Sequence, residues 1–192
     1  MKKIGIYGAS GHGKVVADIA SLLGYTYIFI DDGKNEYIDF ATYQKRYNYP
    51  IAWGIGDNAT RAALAQRVSE QITLIHPQAM VSNSAKIAPG CVVMAGVVIN
   101  ADAKIGEGTI INTGSIIEHD CKIGKFCHIA PNCALAGGVE VDNRSFIGIG
   151  SCVIPQIKIG KESIIGAGSV VLKDVPPKVI AYGNPAKIKG YL

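Results

Sequence analysis

No apolar run in this chain of 192 residues reaches the roughly 18 that a membrane-spanning helix requires, so none is expected. The N-terminus, MKKIGIYGASGHG, breaks into Gly, Ser and His within a few residues and lacks the apolar core of a secretory signal, which points to the cytoplasm. There is no basic stripe with interleaved aromatics. The net charge of +4 is mild and suits an anionic small ligand rather than nucleic acid. Histidine is scarce, with His12, His76, His119 and His128 making the full set.

What the chain does have is a repeat. From Val81 to Val171 an aliphatic residue stands at every sixth position, 16 times out of 16. Ile, Val and Leu account for 50 of 192 residues, so chance agreement at one phase is roughly one in a billion. Four residues after each aliphatic comes a mostly small one, such as Ala103, Thr109, Ser115, Cys121, Cys127 and Cys133. One large and one small inward position per six residues is the hexapeptide signature of a parallel β-helix. Three hexapeptides make one triangular coil, which gives about five coils and stacks residues i and i+18 about 4.8 Å apart. Cys91, Cys121, Cys127 and Cys133 share the small inward phase, and are expected as reduced core residues. Cys152 is off phase. A β-helical zinc enzyme needs three histidine ligands and only two histidines lie in the repeat, so no metal is expected.

Before the repeat the periodicity differs, dividing the chain into residues 1–77 and 78–192. A short apolar strand over 3–7 runs into Gly8-Ala9-Ser10-Gly11-His12-Gly13 and then an amphipathic helix, KVVADIASLLG, ending at Gly24. A second strand from Tyr25 to Ile30 ends in Asp31-Asp32. Glycines that let a backbone approach phosphate, a helix N-terminus and an acid after the second strand make the opening of a nucleotide-binding βαβ unit. The spacing departs from the dinucleotide fingerprint, and a tight turn in an ordinary α/β domain has the same pattern. Residues 33–50 read as an irregular connection or short helix. A third strand near Ile51 leads through Gly56-Asp57-Asn58 into a helix over about 59–69, capped by Asp57 or Asn58, and a fourth strand is expected over Ile72–Ile75. This small Rossmann-like parallel sheet has room for a mononucleotide-sized ligand. The N-terminal domain is expected over one open end of the β-helix and the tail Gly183-Asn184-Pro185-Ala186-Lys187 over the other.

His119 stands two residues after Ile117, at a coil corner, with Asp120 beside it. Either this is a surface pair, or the carboxylate orients an imidazole acting as general base. Register bears on the choice. Residue 137 lies 18 further on, so Gly137 should stack over His119 and bare its N–H there, where an oxyanion would need it. Pro131, Ile149 and Ala167 form another outward column, either a ligand groove or a subunit contact. His128 faces outward, as a ligand donor or an interface residue.

The GASGHG turn, Asp31-Asp32, the GDN segment at 56–58, IIEHDCKIGKFCHIAPN at 116–132 and the GNPAK tail resemble the trimeric nucleotide-sugar acetyltransferases. That family includes the UDP-bacillosamine-pathway N-acetyltransferases and the sialic acid O-acetyltransferases, and the likeness covers residues 3–188. It implies a left-handed β-helix and a homotrimer with active sites between subunits. It implies nucleotide-sugar contacts at Ser10, Gly11, His12, Asp31, Asp32 and Gly56, and acetyl-CoA contacts at His128, Gly137, Ile149 and Ala167. His119 matches the family's base and Asp120 its acidic neighbour.

The expected reaction is therefore transfer of acetyl from acetyl-CoA to the 4-amino group of a UDP-linked 4-amino-4,6-dideoxy sugar. A sialic acid O-acetyltransferase, or an N-acetyltransferase using a GDP- or dTDP-linked amino sugar, is the alternative within transferases. A non-catalytic nucleotide-binding regulator or a structural β-helix would have no use for the His119-Asp120 pair under Gly137.

Overall fold

The computed structural model describes residues 2–33 and 36–192. In the N-terminal domain, strands β1 (Lys2–Tyr7), β2 (Tyr25–Ile30) and β3 (Ile51–Trp53) form a parallel sheet in the order β2-β1-β3. Helix α1 (Gly11–Leu22) buries Val16, Ala17, Ile19 and Ala20 against it, the apolar stripe that its sequence carries. The helix starts at Gly11, ahead of the apolar pattern, with Ser10 as N-cap. Gly13 explains how. A Cβ there would lie 2.0 Å from the carbonyl oxygen of Gly8, and one at Gly54 2.3 Å from the same atom. The first turn of α1, the end of β1 and the end of β3 therefore meet backbone to backbone. Gly8 itself has φ +105°, a conformation only glycine takes readily.

Within residues 33–50 lies helix α2 (Phe40–Arg46), started by Asp39, whose carboxylate accepts the Thr42 N–H at 2.7 Å; Lys34 and Asn35 fall outside the described residues. Helix α3 (Asn58–Ala65) is capped as expected by Asp57, which accepts the Thr60 N–H at 2.7 Å. The fourth strand differs from expectation. Leu74–Ile75 pairs with Val92–Val93 and belongs to the β-helix, while the N-terminal sheet has three strands. Ile75 stands six before Val81, so the repeat begins one period earlier than its unbroken run suggests.

The β-helix has six coils rather than five, because Leu74–Ile75 adds a strand below, and Val175 and Ala181 continue the stack above with the spacing shortened to 16 residues, Val175 on Ile159 and Ala181 on Ile165. Strands of two residues alternate with four-residue corners, and from Leu74 to Val171 each strand pairs with those 18 residues away, as Ile117 with Ile99 and Leu135. The aliphatic series fills the interior. The small series allows corner carbonyls to be satisfied from inside: Thr109 donates to Gly124 O at 2.7 Å, Ser115 to Ala130 O at 2.8 Å and Ser145 to Gly160 O at 2.8 Å. The four inward cysteines are buried and free.

The three faces differ in their outward residues. One presents Leu74, Val92, Ile110, His128, Phe146 and Ile164; the first three are fully buried because the N-terminal domain packs on them. That domain thus lies along the flank of the lower coils, not over their end, since an apolar column 18 residues in period offers it more surface than the open rim. A second face presents Met80, Val98, Ile116, Ala134, Cys152 and Val170, apolar throughout and partly or wholly exposed, which gives Cys152 its place. The third presents Lys86, Lys104, Lys122, Glu140 and Lys158, a solvated column in which Glu140 accepts from Lys122 at 2.9 Å. The tail folds into a hairpin, Val179–Gly183 with Ala186–Tyr191, that extends the covered face beyond the last coil.

Candidate active site

His119 and Asp120 occupy the corner between the apolar and charged faces. The corner turns through Asp120 at φ +60°, a left-handed conformation that Asp tolerates better than most residues. This geometry swings the carboxylate back onto the ring, and Asp120 Oδ2 lies 2.8 Å from His119 Nδ1. Asp120 thus makes the contact within its own corner. That hydrogen bond pushes the imidazole pKa above its ordinary value. Both side chains are open to solvent, at 64% and 67% exposure, so Nε2 is accessible from outside the chain. Gly137 stacks over the ring as register predicts: a Cβ on it would sit 2.6 Å from His119 Cε1 and Nε2. One coil further on, the Gln156 N–H donates to Gly137 O at 3.0 Å.

A second cluster forms where the domains meet. His128, on the covered face, lies with its Nδ1 3.2 Å from Gly56 O and its Nε2 3.0 Å from Asn112 Nδ2. The Thr113 N–H donates to Asn112 Oδ1 at 2.8 Å, which fixes the amide. Asn112 therefore donates to Nε2, and Nδ1–H donates to Gly56 O. Burial pushes His128 down to about 4, with the hydrogen bond to Gly56 opposing it. His12, its ring centroid 6.0 Å from that of His128, is likewise pushed down to about 4 by burial and then by His128 and Arg61. Its Nε2 is buried without a protein hydrogen-bond partner.

Around this cluster the first turn of α1 presents backbone N–H groups that have no acceptor within the helix. Gly11 has no atom within 4 Å of where a Cβ would stand, so the turn is open there. Asp31 borders the turn, accepting the Ala9 N–H at 3.2 Å and the Gly33 N–H at 2.9 Å. Asp32 is committed to the fold: its oxygens accept from the Tyr7 hydroxyl at 2.5 Å and from the Phe40 N–H at 2.9 Å, and Arg67 lies 3.6 Å away. Ile149 and Ala167 stand exposed on a third corner, between the covered and apolar faces.

Within one chain, therefore, Ser10, Gly11, His12, Asp31, Gly56 and His128 come together on one side, and His119, Asp120 and Gly137 on the opposite corner. Sequence reasoning missed Asn112 and Arg61, and named Asn58 only in the GDN segment and as a possible helix cap. Asn112 faces outward one residue past an aliphatic, a position with no signal of its own. Asn58 and Arg61 sit three apart on α3, and only the neighbouring coils reveal what that spacing does. Among the described residues no group of three His, Cys, Asp or Glu side chains could hold a metal ion, and no helix is long and apolar enough to cross a membrane.

An α/β unit docked on a hexapeptide β-helix, with a His-Asp pair at one corner, defines a two-domain hexapeptide transferase. The model of the PglD N-terminal domain matches residues 3–68, and that of the bacterial transferase hexapeptide (six repeats) matches residues 102–137. A perosamine N-acetyltransferase from Caulobacter crescentus, solved with CoA and GDP-perosamine, is 39% identical with a TM-score of 0.94 over 99% of this chain and 98% of that one. The acetyltransferase domain of PglB from Neisseria gonorrhoeae, solved with acetyl coenzyme A, is 34% identical with a TM-score of 0.91 over 98% and 99% of the two chains. The UDP-N-acetylbacillosamine N-acetyltransferase of Bacillus subtilis is 40% identical over 113 residues, 50% of this chain and about half (52%) of that curated relative. The chain belongs to the nucleotide-sugar N-acetyltransferases built on the left-handed hexapeptide β-helix.

Proposed function

We propose that this protein transfers acetyl from acetyl-CoA to the 4-amino group of a UDP-linked 4-amino-4,6-dideoxy sugar, with His119 as general base. The observation that carries this reading is the stack of Gly137 on a solvent-accessible imidazole whose other nitrogen meets Asp120. His119 Nε2 takes a proton from the sugar amine as the nitrogen attacks the thioester carbonyl, and Asp120 stabilises the imidazolium. The Gly137 N–H donates to the oxyanion of the tetrahedral intermediate. Collapse breaks the carbon–sulfur bond, CoA leaves as thiolate, and the imidazolium returns the proton. No acyl-enzyme is needed.

The nucleotide is assigned to the turn at Ser10, Gly11 and His12 with Gly56 and Asp31, whose open N–H groups suit phosphate. Asp32 holds the loop that carries Asp31. CoA is assigned to a path along His128, Gly137, Ile149 and Ala167. Because His119 and the N-terminal domain lie on opposite sides of one β-helix, the sugar must reach His119 from another copy. The uncovered apolar face beside the His119 corner supports a homotrimer with shared active sites.

A GDP-linked acceptor is the second reading, favoured by a specific observation: the Caulobacter relative bound to GDP-perosamine matches nearly the whole chain, and the bacillosamine relative half of it. Thiol release from acetyl-CoA decides between them, measured with UDP-, GDP- and dTDP-linked 4-amino-4,6-dideoxy sugars and free sialic acid. Turnover confined to a UDP sugar supports the first reading. Turnover confined to GDP-perosamine replaces it with the second, and turnover of sialic acid alone removes the nucleotide assignment.

A further inference from the structure

Arg61 is fully buried, and among the described residues no carboxylate forms an ion pair with it, Asp57 acting on it only from a distance. Its guanidinium instead meets carbonyls from both domains. Nε donates to Gly108 O at 2.7 Å, Nη2 to Cys127 O at 3.0 Å and Phe126 O at 3.2 Å, all on the β-helix. Nη1 donates to Ile55 O at 2.9 Å and Gly56 O at 3.1 Å, in the loop that enters α3, and Nη2 also reaches Asn58 Oδ1 at 2.8 Å. Asn58 in turn donates to Ser145 O at 3.0 Å, one coil higher. A buried cation on the domain boundary is costly unless its donors are all satisfied, and here planar, forked donors satisfy carbonyls on two walls at once.

Gly56 O is the point of convergence. It accepts from Arg61 on one side and from His128 Nδ1–H on the other. We propose that Arg61 is a positioning residue for the acetyl-transfer site: it fixes the Gly56 carbonyl, and through it both the placement of the nucleotide loop and the hydrogen bond that holds the His128 Nδ1–H, while Asn112 sets the tautomer. The loop comes from one domain and the histidine from the other, so a single guanidinium sets their spacing. This rests on the nucleotide and CoA assignments made above for its catalytic consequence, but not for its structural one.

The test therefore has two readouts. Arg61→Lys keeps the charge and gives up the fork, while Val92→Ala loosens the same domain boundary without touching the polar chain. In ¹⁵N spectra of the whole protein at neutral pH, His128 should carry its proton on Nδ1; Arg61→Lys should shift that Nδ1–H resonance and Val92→Ala should not. KM for the nucleotide sugar should rise about tenfold in Arg61→Lys, beyond any rise in Val92→Ala at equal loss of Tm. A wild-type measurement covers the case in which Arg61→Lys does not fold. Titrating UDP and then GDP should shift the Arg61 Nε–H resonance and leave the Trp53 Nε1–H, bonded to Gln71 at 2.8 Å, in place. An unchanged His128 Nδ1–H resonance in Arg61→Lys, or an unmoved Arg61 resonance on binding of either nucleotide, overturns the proposal. A failed acceptor panel with a shifted His128 Nδ1–H resonance overturns the substrate reading alone.

Discussion

Gly137 lies directly over the imidazole of His119, so close that the Cβ of any other residue would stand 2.6 Å from its Nε2. The glycine is required by the neighbour, not by its backbone angle, because Gly137 is not among the residues with positive φ. Gly137→Ala should therefore fold normally and push the ring off its position. At least a tenfold loss of kcat is expected, with acetyl-CoA binding much less affected. Circular dichroism, steady-state kinetics and calorimetry of CoA binding check the three parts.

His119→Ala should lower kcat by roughly 10²–10⁴-fold while leaving Tm close to that of wild type, since the side chain is exposed. The hydrogen bond to Asp120 raises the imidazole pKa, and a base works only when deprotonated. The acid limb of the kcat/KM profile should accordingly lie above the ordinary histidine value. Asp120→Asn removes the cause of the shift, so the limb should move to lower pH as kcat falls. A limb that stays in place would detach it from His119.

Much of this corner was legible in the sequence. Sixteen unbroken periods define the register, and register alone places Gly137 on His119 and separates both from the core. The domain boundary was less legible. Ile75 keeps the hexapeptide phase but stands beside Ile72 and Leu74 in an apolar run, so it reads equally well as a strand of the N-terminal sheet. The docking surface was written in the outward column of Leu74, Val92 and Ile110, yet an outward apolar residue can face a domain, a subunit or water. Arg61 was invisible for a different reason. On a helix of mixed polarity an arginine reads as solvated, and only carbonyls brought from 47 to 66 residues away show otherwise.

The phosphate-type turn separates folding from binding. Gly13→Ala would drive a methyl group into the Gly8 backbone and should unfold or loosen the N-terminal domain, at a cost of several kcal/mol. Gly11→Ala has open space around it, so the domain should keep its stability and lose nucleotide affinity instead. Thermal melts with and without nucleotide distinguish the two.

His12 and His128 should make stability depend on pH. Both fold as neutral rings with values pushed from 6.5 down to about 4, so the unfolded chain binds more protons in that window. Their contribution is fully present above pH 6.5 and is lost as pH falls through the window, by up to about 3 kcal/mol each. Denaturant unfolding between roughly pH 7 and pH 5 should show falling stability, and the slope should flatten in a His12→Gln, His128→Gln double variant. Equal slopes in the two proteins would contradict the buried, neutral assignment.

The most direct test of a shared active site mixes two inactive proteins. His119→Ala lacks the base and Gly11→Glu blocks the nucleotide turn on the other side of the same chain. When the two are unfolded together and refolded as mixed oligomers, thiol release from acetyl-CoA should return to about a quarter of the wild-type rate, because one subunit contact in four pairs an intact base with an intact turn. Refolded mixtures as inactive as their parents would mean that both halves of the site must come from a single chain, and would contradict the account.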